Sequence, residues 1–129
     1  MDCIFCRLIN GELPSCLIHE DELVKVVLDI NPLTNGHTLI ISKEHYDNFL
    51  DLPEELVLHI DKITKKLYTQ YKKKLGVGGF TIINNNDLGA DVKHHHVHLI
   101  PRYSDDNFIQ TSNKEVLKEL SEITNKINN

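Results

Sequence analysis

Short runs in which apolar and β-branched residues alternate with polar ones recur near Leu17 to His19, Leu23 to Leu28, Thr38 to Ile41, Phe80 to Ile83 and His94 to Ile100. A period of two puts alternate side chains on opposite faces of an extended chain, so these runs predict five short strands of one sheet. One segment follows a different period. Leu56, Ile60, Ile63, Leu67 and Tyr71 recur at steps of three and four and form a single apolar stripe on a long helix. Asp51 with Glu54 three residues on resembles a capping box, Glu54 and Glu55 suit the positive end of the helix dipole, and Lys72 to Lys74 before Gly76 suit the other end. A C-terminal helix is predicted from about Asn113, with Ser112 as cap, Glu115 three residues later and Val116, Leu120, Ile123 and Ile127 as its stripe. Strands interrupted by one long helix imply an α+β fold with an antiparallel sheet.

Composition narrows the class. The 129 residues, 40% hydrophobic and 26% charged, suit one soluble domain over residues 1–129, without repeats or a Pro/Gly/Ser linker. A net charge of -5 opposes non-specific nucleic-acid binding, which needs clustered Lys and Arg. The opening Met1-Asp2-Cys3-Ile4-Phe5-Cys6 lacks a basic segment followed by an apolar one, and no run of eighteen apolar residues occurs, so a cytoplasmic protein with no membrane partner is expected. Three cysteines fit reduced thiols or metal ligands better than a disulfide framework.

The chemistry concentrates in Lys93-His94-His95-His96-Val97-His98. If the segment is extended, His94, His96 and His98 share one face and His95 and Val97 the other, with alternate residues about 6.6 Å apart. Three such rings can supply a nucleophile, a hydrogen-bond donor and a metal ligand. A solvated polar strand face and a plain metal-binding patch are the alternatives. Cys3 and Cys6 form a CxxC, half of a zinc site that lacks two ligands. A redox pair would instead need a cysteine opening a helix after a strand, and two half-buried small residues would need nothing. Asp29 ends an apolar run ahead of the turn-forming Asn31 to His37; it is a turn-former or an acceptor for ribose hydroxyls. Asn84 to Gly89 is a turn whose amides could meet a ligand.

Taken with Cys3 to Pro14, Leu28-Asp29-Ile30, Gly36 to His45 and Ile100-Pro101-Arg102-Tyr103, the row His94-His95-His96-Val97-His98-Leu99-Ile100 resembles the signature of the histidine-triad nucleotide-binding family. The likeness covers nearly the whole chain and is closest to the small zinc-bearing bacterial members near the phosphoramidase branch. It implies a homodimer whose sheets join, binding a purine nucleoside monophosphate or phosphoramidate in each subunit. By position His96 would form a nucleotidyl-histidine intermediate, and His98 would contact the phosphate and leaving group. Phe5, Leu8, Asp29, Ile30 and Asn85 would bind the nucleotide, and Cys3, Cys6, His45 and His94 would hold a structural zinc. The activity implied is hydrolysis of nucleoside 5'-phosphoramidates. A dinucleoside polyphosphate hydrolase on the same fold, or a nucleotide sensor with little turnover, are the other readings. Gly89-Ala90-Asp91 departs from the family's usual Gly-Gln-Ser or Gly-Gln-Thr, and it places a carboxylate where a phosphate is expected.

Overall fold

The computed structural model describes residues 3–129. Met1 and Asp2, which open the segment read above for a leader, lie outside the described residues. All five predicted strands form, as β1 (Leu17–Glu20), β2 (Val24–Leu28), β3 (Thr38–Ser42), β4 (Gly79–Ile83) and β5 (His96–Arg102). They make one antiparallel sheet in the order β1-β2-β3-β5-β4.

The alternation divides the sheet's two faces. Val26, Ile40 and Val97 lie in register across β2, β3 and β5 and turn to the helix side. There they join Val24 and Leu99 against Leu56, Ile60, Ile63, Leu67 and Tyr71, the stripe of α2 (Glu54–Leu75). The opposite face carries Val27 and Leu39 beside His98, and Ile41 beside His96. Phe5 covers it, with Leu8, Ile9 and Val92 packed around. Phe5 and Leu8 ride on α1 (Ile4–Ile9), a helix of six residues that is too short to show a helical period in the sequence.

Three expectations about boundaries are corrected. The capping box at Asp51 does not form: Asp51 closes a separate 3-10 turn, Phe49–Asp51, and the residue flanking α2 is Pro53. Proline excludes the helical region for the residue before it, and Leu52 is accordingly extended at φ -70 and ψ 133. At the other end Gly76 takes φ 68, in the left-handed region the sequence anticipated for it. The C-terminal helix does not run from Asn113 with a Ser112 cap. Lys114–Val116 is a 3-10 turn, Leu117 is extended, and α3 spans Leu120–Asn128 with Leu120 and Ile127 exposed. Its stripe meets no buried cluster among the described residues, so periodicity alone could not fix where it starts.

The third correction concerns the histidine row. The strand β5 starts at His96, so His94 precedes it and only His96 and His98 alternate along it. The stretch before it is tied sideways instead, with His95 N–H donating to Tyr46 O at 2.7 Å. His95 turns to the helix side, facing Phe49, as the alternation predicts.

Candidate active site and metal centre

The short helix α1 is capped at its N-terminus by Cys3, whose Sγ accepts from Cys6 N–H at 3.4 Å, so the two cysteines lie together at that end of the helix. The redox reading asked for a cysteine in that position, yet the two thiols meet histidines. Cys3 Sγ lies 3.3 Å from His94 Nδ1, and Cys6 Sγ lies 3.3 Å from His45 Nδ1 and 3.6 Å from His94 Nδ1. All four donor atoms fall within 4.8 Å of one another. In a tetrahedral zinc site the S···N edge is about 3.5 Å, from Zn–S near 2.3 Å and Zn–N near 2.0 Å.

Both rings are also prepared as ligands. His94 Nε2–H donates to Ser42 O at 2.7 Å and His45 Nε2–H donates to Asp47 Oδ1 at 2.9 Å, which leaves each Nδ1 with its lone pair toward the thiols. Burial, and then the neighbouring Cys3, push the Cys6 thiol up. A bound dication reverses that preference. The residues therefore fit a four-coordinate zinc ion, and among the described residues no fifth donor joins the group.

Next to this cluster the main chain sets the tautomers of His96 and His37, and His37 in turn sets that of His98. His96 Nδ1–H donates to His94 O at 2.7 Å, so His96 Nε2 carries the lone pair. Leu33 N–H donates to His37 Nδ1 at 3.0 Å, which puts the His37 proton on Nε2. That proton is given to His98 Nδ1 at 2.9 Å, and His98 is left with an Nε2–H donor. Burial above all holds His37 and His98 below the ordinary histidine value, opposed by Asp29 in both and by Asp91 in His98. The site thus sets the Nε2 lone pair of His96 beside an N–H donor on His98, their rings 5.0 Å apart.

Asp29, His37 and His98 also come close enough to suggest a second metal group. The bond from Leu33 N–H argues against it, because it leaves His37 Nε2 protonated and unable to ligate.

Of the expected nucleotide-binding residues, Phe5 is buried edge-on to His96 at 4.8 Å between ring centroids, and Leu8 packs beside it. Asp29 keeps both of its readings: Oδ1 accepts from Asn31 N–H at 2.8 Å and shapes the turn, while Oδ2 is 3.6 Å from His37 Nε2. Ile30 is 85% exposed and stands outside the Phe5 cluster. Asn85 is half-buried and makes no hydrogen bond among the described residues. Its loop is pinned on both sides: Asn84 Nδ2 donates to His96 O at 3.0 Å, and Phe49 N–H donates to Asn86 Oδ1 at 2.7 Å. The carboxylate of Asp91 lies 3.7 Å from His96 Nε2.

Sequence reasoning missed the relay through His37 and the grip of Asn84. A signal for His37 was present. It alternates with Leu39 and Ile41, so it belongs to the face that carries His96 and His98.

Comparison with known proteins agrees with this geometry. The HIT domain profile matches residues 10–105. The chain is 44% identical over 127 residues to an uncharacterized HIT-like protein of Methanocaldococcus jannaschii, covering 92% of this chain and 98% of that one. It is 35% identical over 104 residues to an adenosine 5'-monophosphoramidase of Schizosaccharomyces pombe, covering 79% of this chain and 75% of the relative. Among solved structures it resembles a zinc-bound histidine triad family protein of Mycobacterium smegmatis, with a TM-score of 0.78, 32% identity, and 89% and 86% of the two chains covered.

Proposed function

The chain belongs to the HIT family, and from that premise we propose that it hydrolyses purine nucleoside 5'-phosphoramidates by way of a nucleotidyl intermediate on His96. One observation carries the reading: His96 Nδ1–H is committed to His94 O, so the lone pair of the neutral ring is on Nε2, beside the His98 N–H. A similar yeast protein named as an adenosine 5'-monophosphoramidase supports the choice of substrate.

The nucleoside would lie against Phe5 and Leu8, with Ile30 at the rim, Asp29 on the ribose hydroxyls and Asn85 on the phosphate. His96 Nε2 attacks the α-phosphorus and the phosphorus–nitrogen bond breaks. The departing amine takes its proton from solvent at the open mouth. His98 Nε2–H donates to the phosphoryl oxygen as charge builds there. Water then attacks the same phosphorus, the bond to Nε2 breaks, the nucleoside monophosphate leaves and the water's proton returns to solvent. His37 holds His98 in its donor tautomer throughout.

Cys3, Cys6, His45 and His94 would hold zinc, which when bound ties α1 to the sheet and has no free position for water. The reading extends to a single domain over 1–129 that works in the cytoplasm as a homodimer. Exposed apolar residues on the edge strand β4 (Ile82), on α2 (Leu58) and at Phe49 and Leu50 support a second copy there, and no described helix is long and apolar enough to cross a membrane.

Incubation with adenosine 5'-phosphoramidate tests the reading. The wild type should release adenosine monophosphate, and His96→Ala should lose about a thousandfold or more of kcat while keeping its circular dichroism spectrum. Equal release from both proteins, or adenosine monophosphate binding without release from the wild type, would overturn it; the second result would favour a nucleotide sensor.

A further inference from the structure

We infer that Asp91 filters the charge of the leaving group, favouring substrates whose departing amine bears a positive charge and disfavouring those whose departing group is anionic. This rests on the reading of His96 as the nucleophile.

The placement of the carboxylate carries the inference. Asp91 Oδ1 is 3.7 Å from His96 Nε2, and its side chain is 83% exposed. The next residue, Val92, packs against the cluster of Phe5, Val27, Leu39 and Ile41, which fixes the point of attachment at the rim. Among the described residues, no lysine or arginine forms an ion pair with it. The carboxylate is therefore an uncompensated charge at the mouth of the site.

A phosphorus poised for attack sits about 3–3.5 Å from the attacking nitrogen, so Asp91 borders the substituents that phosphorus carries. The substituent leading to the nucleoside points inward, toward Phe5 and Asp29. The departing substituent lies in line on the far side of the phosphorus from Nε2, and Asp91, close to Nε2 and open to solvent, stands beside that line and within several ångströms of it. Repulsion between Asp91 and the α-phosphate is common to every substrate and cancels between them. The charge on the departing group does not cancel. One unit of charge within several ångströms of an exposed carboxylate is worth about a fivefold change in rate, and more where water is excluded. Sulfate and polyphosphate leaving groups are anionic and would be disfavoured. An amine with a second, protonated nitrogen would be preferred.

The test uses three adenosine 5'-phosphoramidates of matched size whose amines end in an ammonium, a methyl and a carboxylate group. The wild type should rank them in that order by kcat/KM, each step about fivefold. Raised salt should compress the ranking by screening, a readout that needs no variant. Asp91→Asn, which keeps the shape and removes the charge, should bring the three within about twofold of one another, and Asp91→Ser should do the same. A wild-type ranking absent or reversed, or one unchanged in both variants, overturns the inference. Binding separates this failure from failure of the nucleophile assignment: the affinities of the three compounds for His96→Ala should keep their order even if His96 proves not to be the nucleophile, and equal affinities there count against the filter.

Discussion

At the scale of the residue, the protonation states in the site are consequences of main-chain hydrogen bonds. His37 shows this best, because it touches no phosphorus in the proposed reaction and acts only by giving its Nε2 proton to His98. Replacing His37 with Ala frees His98 to carry its proton on the wrong nitrogen. We expect kcat to fall about tenfold to a hundredfold with little change in nucleotide affinity, measured by single-turnover kinetics beside equilibrium binding. A loss confined to affinity would mean that His37 shapes the pocket instead. Most of these residues were legible in the sequence, because type and spacing make His96, His98, Cys3, Cys6 and Asp29 conspicuous. The relay was not, since a tautomer depends on which carbonyl or amide stands opposite each ring nitrogen, and that is decided by register across the sheet.

Elements carry two further consequences. The helix α1 has six residues, fewer than a free helix needs to persist in water, and it holds its place through Phe5 on the sheet and the thiols on His45 and His94. A Cys3→Ser, Cys6→Ser double variant should bind no zinc, against about one ion per chain in the wild type by elemental analysis. It should also lose protection of the amides of residues 4–10 in hydrogen exchange. Retained zinc would place the metal elsewhere. The second consequence concerns the docking of α2 on the sheet. The Thr38 hydroxyl donates to Gly36 O at 2.7 Å, so the buried Tyr71 hydroxyl is the donor in the 2.8 Å bond between them. Tyr71→Phe should therefore destabilise the fold by about 1 kcal/mol in urea unfolding, and a change near zero would show the bond to be replaced by water. The stripe of α2 was readable because it spans about four turns and meets one partner surface. The boundaries failed where a single neighbour decided them, as Pro53 does for α2, or where the stripe has no partner among the described residues, as for α3.

For the whole molecule, the buried histidines make stability depend on pH in a defined direction. The folded His37 and His98 stay neutral below the ordinary histidine value, chiefly through burial, whereas the unfolded chain takes up protons from about pH 6.5 downward. Their contribution is complete above that pH and is lost as pH falls toward the folded values. Asp21 and Asp106 work lower on the scale. Burial alone would raise Asp21, but hydrogen bonds from His19, Leu23 N–H, His59 and Val24 N–H hold it well below the usual carboxylate range. Arg102 does the same for Asp106. Stability from these two acids is present above the usual carboxylate value and lost only in strong acid. Urea midpoints measured at constant salt should therefore be flat above about pH 7 and decline from about pH 6.5, with a shallower decline in His37→Gln. A midpoint that rises toward pH 5 would contradict the sign.

The bonds that aim His94, His96 and His37 end on Ser42 O, His94 O and Leu33 N–H. Every residue that could be encoded at those positions, proline at 33 excepted, supplies the same group. Apart from His37, which aims His98, and Asp47, which aims His45, mutation can strip side chains from around these rings without erasing their instructions, whereas the contacts that meet the departing group hang on side chains such as Asp91 and can be rewritten one codon at a time. Chemistry of that design is hard to lose and its choice of substrate is easy to change, so related chains can diverge in what they cleave while leaving untouched how they cleave it.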